Sequence, residues 1–150
     1  MRVTNHIIRK TIISQLDGSV ELDDSYIVPV YNRVPSNATY PFIRVYSVST
    51  NDVDRNQTSY NNEVITRIEV VTRFESDSGG ELQCNEIVDS VTALLFSKDD
   101  VYFNPLPSPY TDDYKVYTAT LEGITYLQDD LSDHTYFRAI IEMSNRIEEL

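Results

Sequence analysis

The chain holds one cysteine, two histidines, four glycines and no tryptophan, and its twelve Lys and Arg are outnumbered by 24 Asp and Glu. Each shortage excludes something. A single thiol, Cys84, permits no intrachain disulfide, and its place on an apolar stripe favours a buried structural thiol over a reactive one. His6 and His134 stand without the neighbouring ligands or bases that a metal site or an acid–base pair requires, so solvated histidines are the plainer reading. The pair Gly79-Gly80 lacks the following Lys-Ser/Thr of a phosphate-binding loop and reads as a strand-to-helix turn. No run approaches the roughly 20 apolar residues of a membrane span. The N-terminal pairs Ile7-Ile8 and Ile12-Ile13 are broken by Arg9, Lys10 and Gln15, unlike the continuous core of a signal peptide. The expectation is a soluble chain that folds in a cytoplasm without cofactor or metal.

Scarce and dispersed cations bear on partners as well. A formal charge of −12 argues against a grip on nucleic acid, which needs a basic patch. It is compatible with DNA passing nearby, because an acidic wall repels a polyanion. Ordinary solubility accounts for the same charge. The pairs Asp23-Asp24, Asp99-Asp100, Asp112-Asp113 and Asp129-Asp130 lack the alternating ligand spacing of a calcium loop and read as acidic turns. Asn37-Ala38-Thr39 and Asn56-Gln57-Thr58 fit the glycosylation pattern, but with no secretory signal legible they are chance matches.

What is present suffices for one domain: 150 residues at 41% hydrophobic content build a single core without staples. Its clearest stretch is Asn62–Phe96. Along Val64–Phe74 one parity is Val64, Thr66, Ile68, Val70, Thr72 and Phe74, while the other carries Arg67, Glu69 and Arg73, the pattern of a half-buried antiparallel strand. Ser78 and Glu81 then have capping-box spacing, and Leu82, Cys84, Ile87, Val88, Val91, Leu94 and Leu95 draw a helical stripe. Before this unit, Val3–Asp17 reads as a short amphipathic helix closed by Gly18, Tyr26–Val34 as an edge strand interrupted by Pro29, and Phe42–Ser49 as a strand. Thr50–Asn61 reads as a polar, mobile connection. After it, Ser97–Asp113, with Pro105, Pro107 and Pro109, reads as an extended loop packed either on its own domain or on a neighbour. Tyr114–Leu127 and Tyr136–Ile147 form a hairpin around the acidic turn Gln128–His134. The predicted order is α-β-β-β-α-β-β, an α+β domain whose mostly antiparallel sheet has its helices on one face.

That layout carries a resemblance. A short N-terminal helix, a proline-bounded stretch leading to Tyr40-Pro41-Phe42-Ile43-Arg44-Val45, a strand ending Val71-Thr72-Arg73-Phe74, a Ser78-Gly79-Gly80 helix start and a closing hairpin occur in this order. Together they resemble, over nearly the whole chain, the tail-completion or tail-terminator family of tailed bacteriophages. The match rests on order and spacing, and Thr50–Asn61 and Ser97–Asp113 are long against it.

The resemblance implies a non-enzymatic virion protein of the tail or neck. Such a protein forms a homo-hexameric ring that caps the tail tube, stops its polymerisation and joins it to the head. Its partners are then the tail tube protein and a head or neck connector, with DNA passing through unbound. Eleven tyrosines suit protein contacts. Candidate lumen or partner contacts are Asp52, Asp54 and Arg55 in the polar connection, Tyr110 in the proline-rich loop, and Asp129, Asp130 and Asp133 in the hairpin turn. Another head-tail connector or neck component is the alternative within this class. A small ligand-binding or enzymatic α+β domain is the alternative outside it, and the lack of a convergent His, Cys or Ser constellation counts against that one.

Overall fold

A computed structural model describes residues 3–55, 60–96, 106 and 108–150 of the chain, with the side chains of Asp54 and Arg55 also outside the description. Its elements are α1 (Asn5–Leu16), β1 (Val30–Tyr31), β2 (Phe42–Arg55), β3 (Tyr60–Glu75), α2 (Leu82–Leu95), β4 (Tyr114–Asp130) and β5 (His134–Glu149). The order is the expected α-β-β-β-α-β-β. One five-stranded sheet runs β1-β2-β3-β5-β4, antiparallel throughout except where β1 joins β2 in parallel.

The period-two pattern decides which face is covered. Val64, Thr66, Ile68, Val70 and Thr72 of β3 are all buried, and β5 sets Asn145, Met143, Ile141, Ala139 and Phe137 directly opposite them. Ile43 and Val45 of β2 extend the same surface. Both helices lie over it, α1 through Ile7, Ile8, Ile12 and Leu16 and α2 through Cys84, Ile87, Val88, Val91 and Leu95. The intervening residues of the strands, Glu63, Arg67 and Glu69 among them, point to the other face, on which no described helix packs.

Several boundaries depart from the sequence reading. The largest departure concerns Thr50–Asn61, which is not a separate connection: β2 continues to Arg55 and β3 begins at Tyr60, so all but residues 56–59 belongs to a long hairpin. Its polar composition reflects a ladder held by backbone hydrogen bonds at a place where neither face needs an apolar row. The edge strand around Pro29 shrinks to Val30–Tyr31, paired with Ile43 and Arg44. The closing hairpin is also longer than expected, since Asp129 and Asp130 pair with Tyr136 and Thr135 inside the ladder and leave only residues 131–133 between the strands.

The capping box at Ser78 does not form. The Ser78 hydroxyl donates to the Glu75 carbonyl oxygen at 2.7 Å, closing the turn after β3, and α2 begins later, with Glu81 as an N-cap residue that makes no side-chain cap. Leu82 consequently projects into solvent, 71% exposed, and Leu94 is only half-buried, so the buried stripe is narrower than the sequence suggests. Gly79 is required within this turn: its φ is +88° and a Cβ there would collide with the Phe74 ring.

Val91 sits at 0% exposure in the interface between α2 and the sheet. Val91→Asp would bury a carboxylate without a partner, at a cost of several kcal/mol against a typical total of about 5–15 kcal/mol. Soluble expression should be lost, with collapse of the circular dichroism of whatever protein is recovered. A well-folded Val91→Asp variant would show that α2 does not cover the sheet.

Candidate functional site

The uncovered face of the sheet carries a ladder of ion pairs. Six of the twelve cationic residues lie there, the arginines Arg44, Arg67, Arg73, Arg138 and Arg146 together with Lys115. Cross-strand register places carboxylates beside three of them. Arg146 pairs with Glu63 at 3.8 Å, Arg67 with Glu142 at 3.3 Å, and Arg138 bridges Glu69 at 3.4 Å and Asp129 at 2.8 Å. Hydrogen bonding to the Tyr46 hydroxyl, followed by the bond and charge of Glu142, holds the Arg67 guanidinium above its ordinary range. The other two arginines lie over aromatic rings, Arg44 at 4.6 Å from the centre of Tyr46 and Arg73 at 4.1 Å from Tyr40. In a protein of charge −12, this face is close to self-neutralising.

Its end nearest the β4–β5 turn is aromatic. Tyr40 stacks obliquely on Phe42 at 5.0 Å and meets Tyr136 edge-on at 5.9 Å, which in turn lies 6.3 Å from His134. Phe42, Val71, Leu131, Tyr136 and the ion-paired Arg138 line a shallow depression of about 330 Å³. A second depression, of about 480 Å³, lies over Arg67, Glu122, Gly123, Thr125, Ile140 and Glu142. The arginine and one glutamate in its lining are already bonded to each other, and the Thr125 hydroxyl has no His, Cys or Lys beside it in the lining. These hollows suit protein contact better than chemistry on a small molecule.

The second feature is the border of the sheet. Among the described residues no strand pairs with the outer side of β4 along its length from Tyr114 to Asp130. Large apolar side chains cluster on it and its turn: Tyr117, Leu121, Tyr126, Leu127 and Leu131 are 37–58% exposed. Bulges at Tyr117 and Glu122 interrupt its pairing with β5. The opposite border is partly closed, since β1 covers β2 only at Ile43 and Arg44, and the Asn32 side chain donates to the Val45 carbonyl oxygen just beyond.

The residues singled out in the sequence are not brought together. Asp52 is exposed on β2, opposite Asn62, toward the end of the sheet far from the β4–β5 turn. Asp54 and Arg55 close the same strand, with side chains outside the described set. Asp130 and Asp133 are exposed at the other end. Asp129 is not a free turn acid: it sits in β4 and holds Arg138. Tyr110 packs on its own domain, against His6 at 5.9 Å, Tyr114 at 6.3 Å and the Lys10 ammonium at 5.5 Å. With Leu106 buried and the Thr111 hydroxyl bonded to its carbonyl, the described part of the proline-rich loop belongs to the domain itself. Asp99 and Asp100 lie outside the described residues.

The arginine ladder went unnoticed in the sequence, and the closing hairpin, which can be read as able to pair with a neighbouring chain, does not show which of its strands is the border. Both need strand order, although the charged parity of Val64–Phe74 and the Arg138/Glu142/Arg146 spacing on β5 hinted at the ladder. Cys84 is buried, and desolvation pushes its thiol up to about 11, with the nearby Glu81 charge adding to the effect. No group of three or more His, Cys, Asp or Glu that could hold a metal occurs among the described residues. No helix there is long and apolar enough to cross a membrane.

Set against known proteins, the chain matches no family model and no curated sequence.

Arg138 joins three strands from a site where its side chain is only 29% exposed and Glu69 13%. Arg138→Gln leaves Glu69 half-satisfied and should cost about 1–3 kcal/mol. Arg146→Gln, in an exposed pair, should cost at most about 1 kcal/mol. Equal costs in urea unfolding would show that the ladder is surface decoration.

Proposed function

We propose that the chain is a structural subunit of a closed homo-oligomeric ring of the tail-terminator kind. The ring caps the end of a phage tail tube, halts its growth and links it to the head or neck. The observation that carries this reading is the long border of β4, which no described strand pairs and which carries several exposed apolar side chains, at one end of a sheet whose opposite end is also only partly closed. An exposed edge of this length is a liability in a solitary protein and an asset in one built to be paired. A ring needs two different patches, each meeting the other on a neighbour, and the two borders of one sheet supply them. The element order agrees with the layout on which the family resemblance rests.

No catalysis is assigned. The protein acts by shape, by stopping addition to the tube and by letting DNA pass. Asp130 and Asp133, exposed and without the structural duty of Asp129, are the acidic residues best suited to face a passing polyanion. The neutral open face, with its aromatic end and shallow hollows, suits the flat contact expected with a tube or neck protein.

The test is solution mass by light scattering, alone and with preassembled tail tubes, together with electron microscopy of the tubes. The expected result is a monomer or a closed ring in isolation and binding confined to tube ends, with tube length fixed on addition. Binding along tube walls, or none at all, would overturn the reading.

A further inference from the structure

We propose that the seam between neighbouring subunits is a strand-to-strand join in which Tyr46–Asp52 of β2 in one copy lies antiparallel beside Val116–Gly123 of β4 in the next. The proposal rests on the ring reading above and names the surfaces that close it.

Strand direction comes first. β2, β3, β5 and β4 alternate in direction, so the two outermost long strands of the sheet are antiparallel to each other. A rotation about an axis along the strands therefore sets one copy's β2 against the next copy's β4 in the antiparallel sense, with the helices of both copies on the same side. Pairing of β4 with a second β4 would instead need a two-fold axis, which ends growth at a dimer.

Closure then fixes the register. A join that climbs along the strands at each copy builds an open helix, whereas a ring needs a level one. Rows traced across the sheet give the level partners. Tyr46 shares a row with Arg67, Glu142 and Gly123, Ser49 with Ile65, Ser144 and Thr120, and Asp52 with Asn62, Ile147 and Val116. The level join thus brings Val48, 44% exposed, to Leu121, 40% exposed. An apolar contact falls into place from a constraint that did not use it.

The limits of the join are also marked. Beside Ile43 and Arg44 the slot next to β2 is filled by β1, so a neighbour's β4 has to leave it at the row of Tyr46. That row on β4 is Gly123, directly after the bulge at Glu122, where a strand bends most readily. The apolar Tyr126 and Leu127 beyond it then overhang the next subunit.

Cysteine cross-linking of the full chain tests the seam, since buried Cys84 stays out of the reaction. Ser49→Cys and Thr120→Cys, both outside the core, are made singly and together and oxidised at protein concentrations where rings form, or at the solubility limit if none are seen. The double variant is expected to give a reducible ladder of multimers ending at the ring size, and an equal mixture of the two single variants a dimer. Either single variant oxidised alone is expected to remain monomeric. Cross-linking of Thr120→Cys alone, or an unlinked double variant, overturns the seam.

Val48→Asp and Leu121→Lys, at the apolar contact, provide a second measurement. Each alone should shift assembly toward monomer, and the two combined should restore it; failure to restore overturns the register. Rings that assemble without the cross-link would sink the seam and leave the terminator reading standing. Cross-linked rings that ignore tube ends would do the reverse.

Discussion

The pairing of β3 with β5 holds this molecule together. It runs through sixteen consecutive residue pairs, from Tyr60 with Glu149 to Glu75 with His134, without a bulge. The ladders on either side of it, β2 on β3 and β4 on β5, each contain two irregularities. Everything else refers to this central pair. Its inner face supplies the apolar floor for both helices, and its outer face sets Arg67 against Glu142 and Arg146 against Glu63. Slipping it by one residue would turn Ile68 and Ile141 to solvent and bury arginines, so hydrophobic burial and ion pairing enforce the same register.

Because that pair is central, the borders of the sheet are made by strands with less to hold them. Among the described strands β4 pairs with β5 alone, and its buried side chains, Tyr114 and Val116, lie at its start. Farther along, Ala119 and Ile124 pack against the core only in part, and Leu121 and Tyr126 stay exposed although they share its face. The acidic character of the chain lies largely outside the ladder, in loops and turns such as Asp23-Asp24 and Asp112-Asp113, while the open face balances its own charge. A surface so divided concentrates the net charge away from the sheet and leaves a near-neutral face free for contact.

Much of this was legible in the residues. The alternation of Val64–Phe74 and of Phe137–Ile147, and the stripe from Cys84 to Leu95, fixed three elements and the covered face, because burial on one side writes a period into the sequence. Where burial does not select, the sequence is silent. The polar end of the β2–β3 hairpin reads as a loop, since a backbone ladder wetted on both faces leaves no apolar period. Ser78 and Glu81 have the spacing of a cap, yet the hydroxyl finds the Glu75 carbonyl nearer in the turn. Asp129 reads as a turn acid because its partner Arg138 becomes a neighbour only after the hairpin closes. That β4 is the border among the described strands is a property of strand order, which no local pattern encodes.

The central claim is that a fixed β3–β5 spine carries a β4 border left open for a partner. Amide hydrogen exchange, followed residue by residue in dilute protein and again after assembly, tests it most directly. The account predicts slowest exchange in the amides of β3 and β5 in both states. The alternate amides of Val116–Gly123 that do not bond β5 should exchange fast in dilute protein and become protected on assembly. Strong protection of all β4 amides in the isolated chain, or exchange in β3 and β5 as fast as in β4, would contradict it.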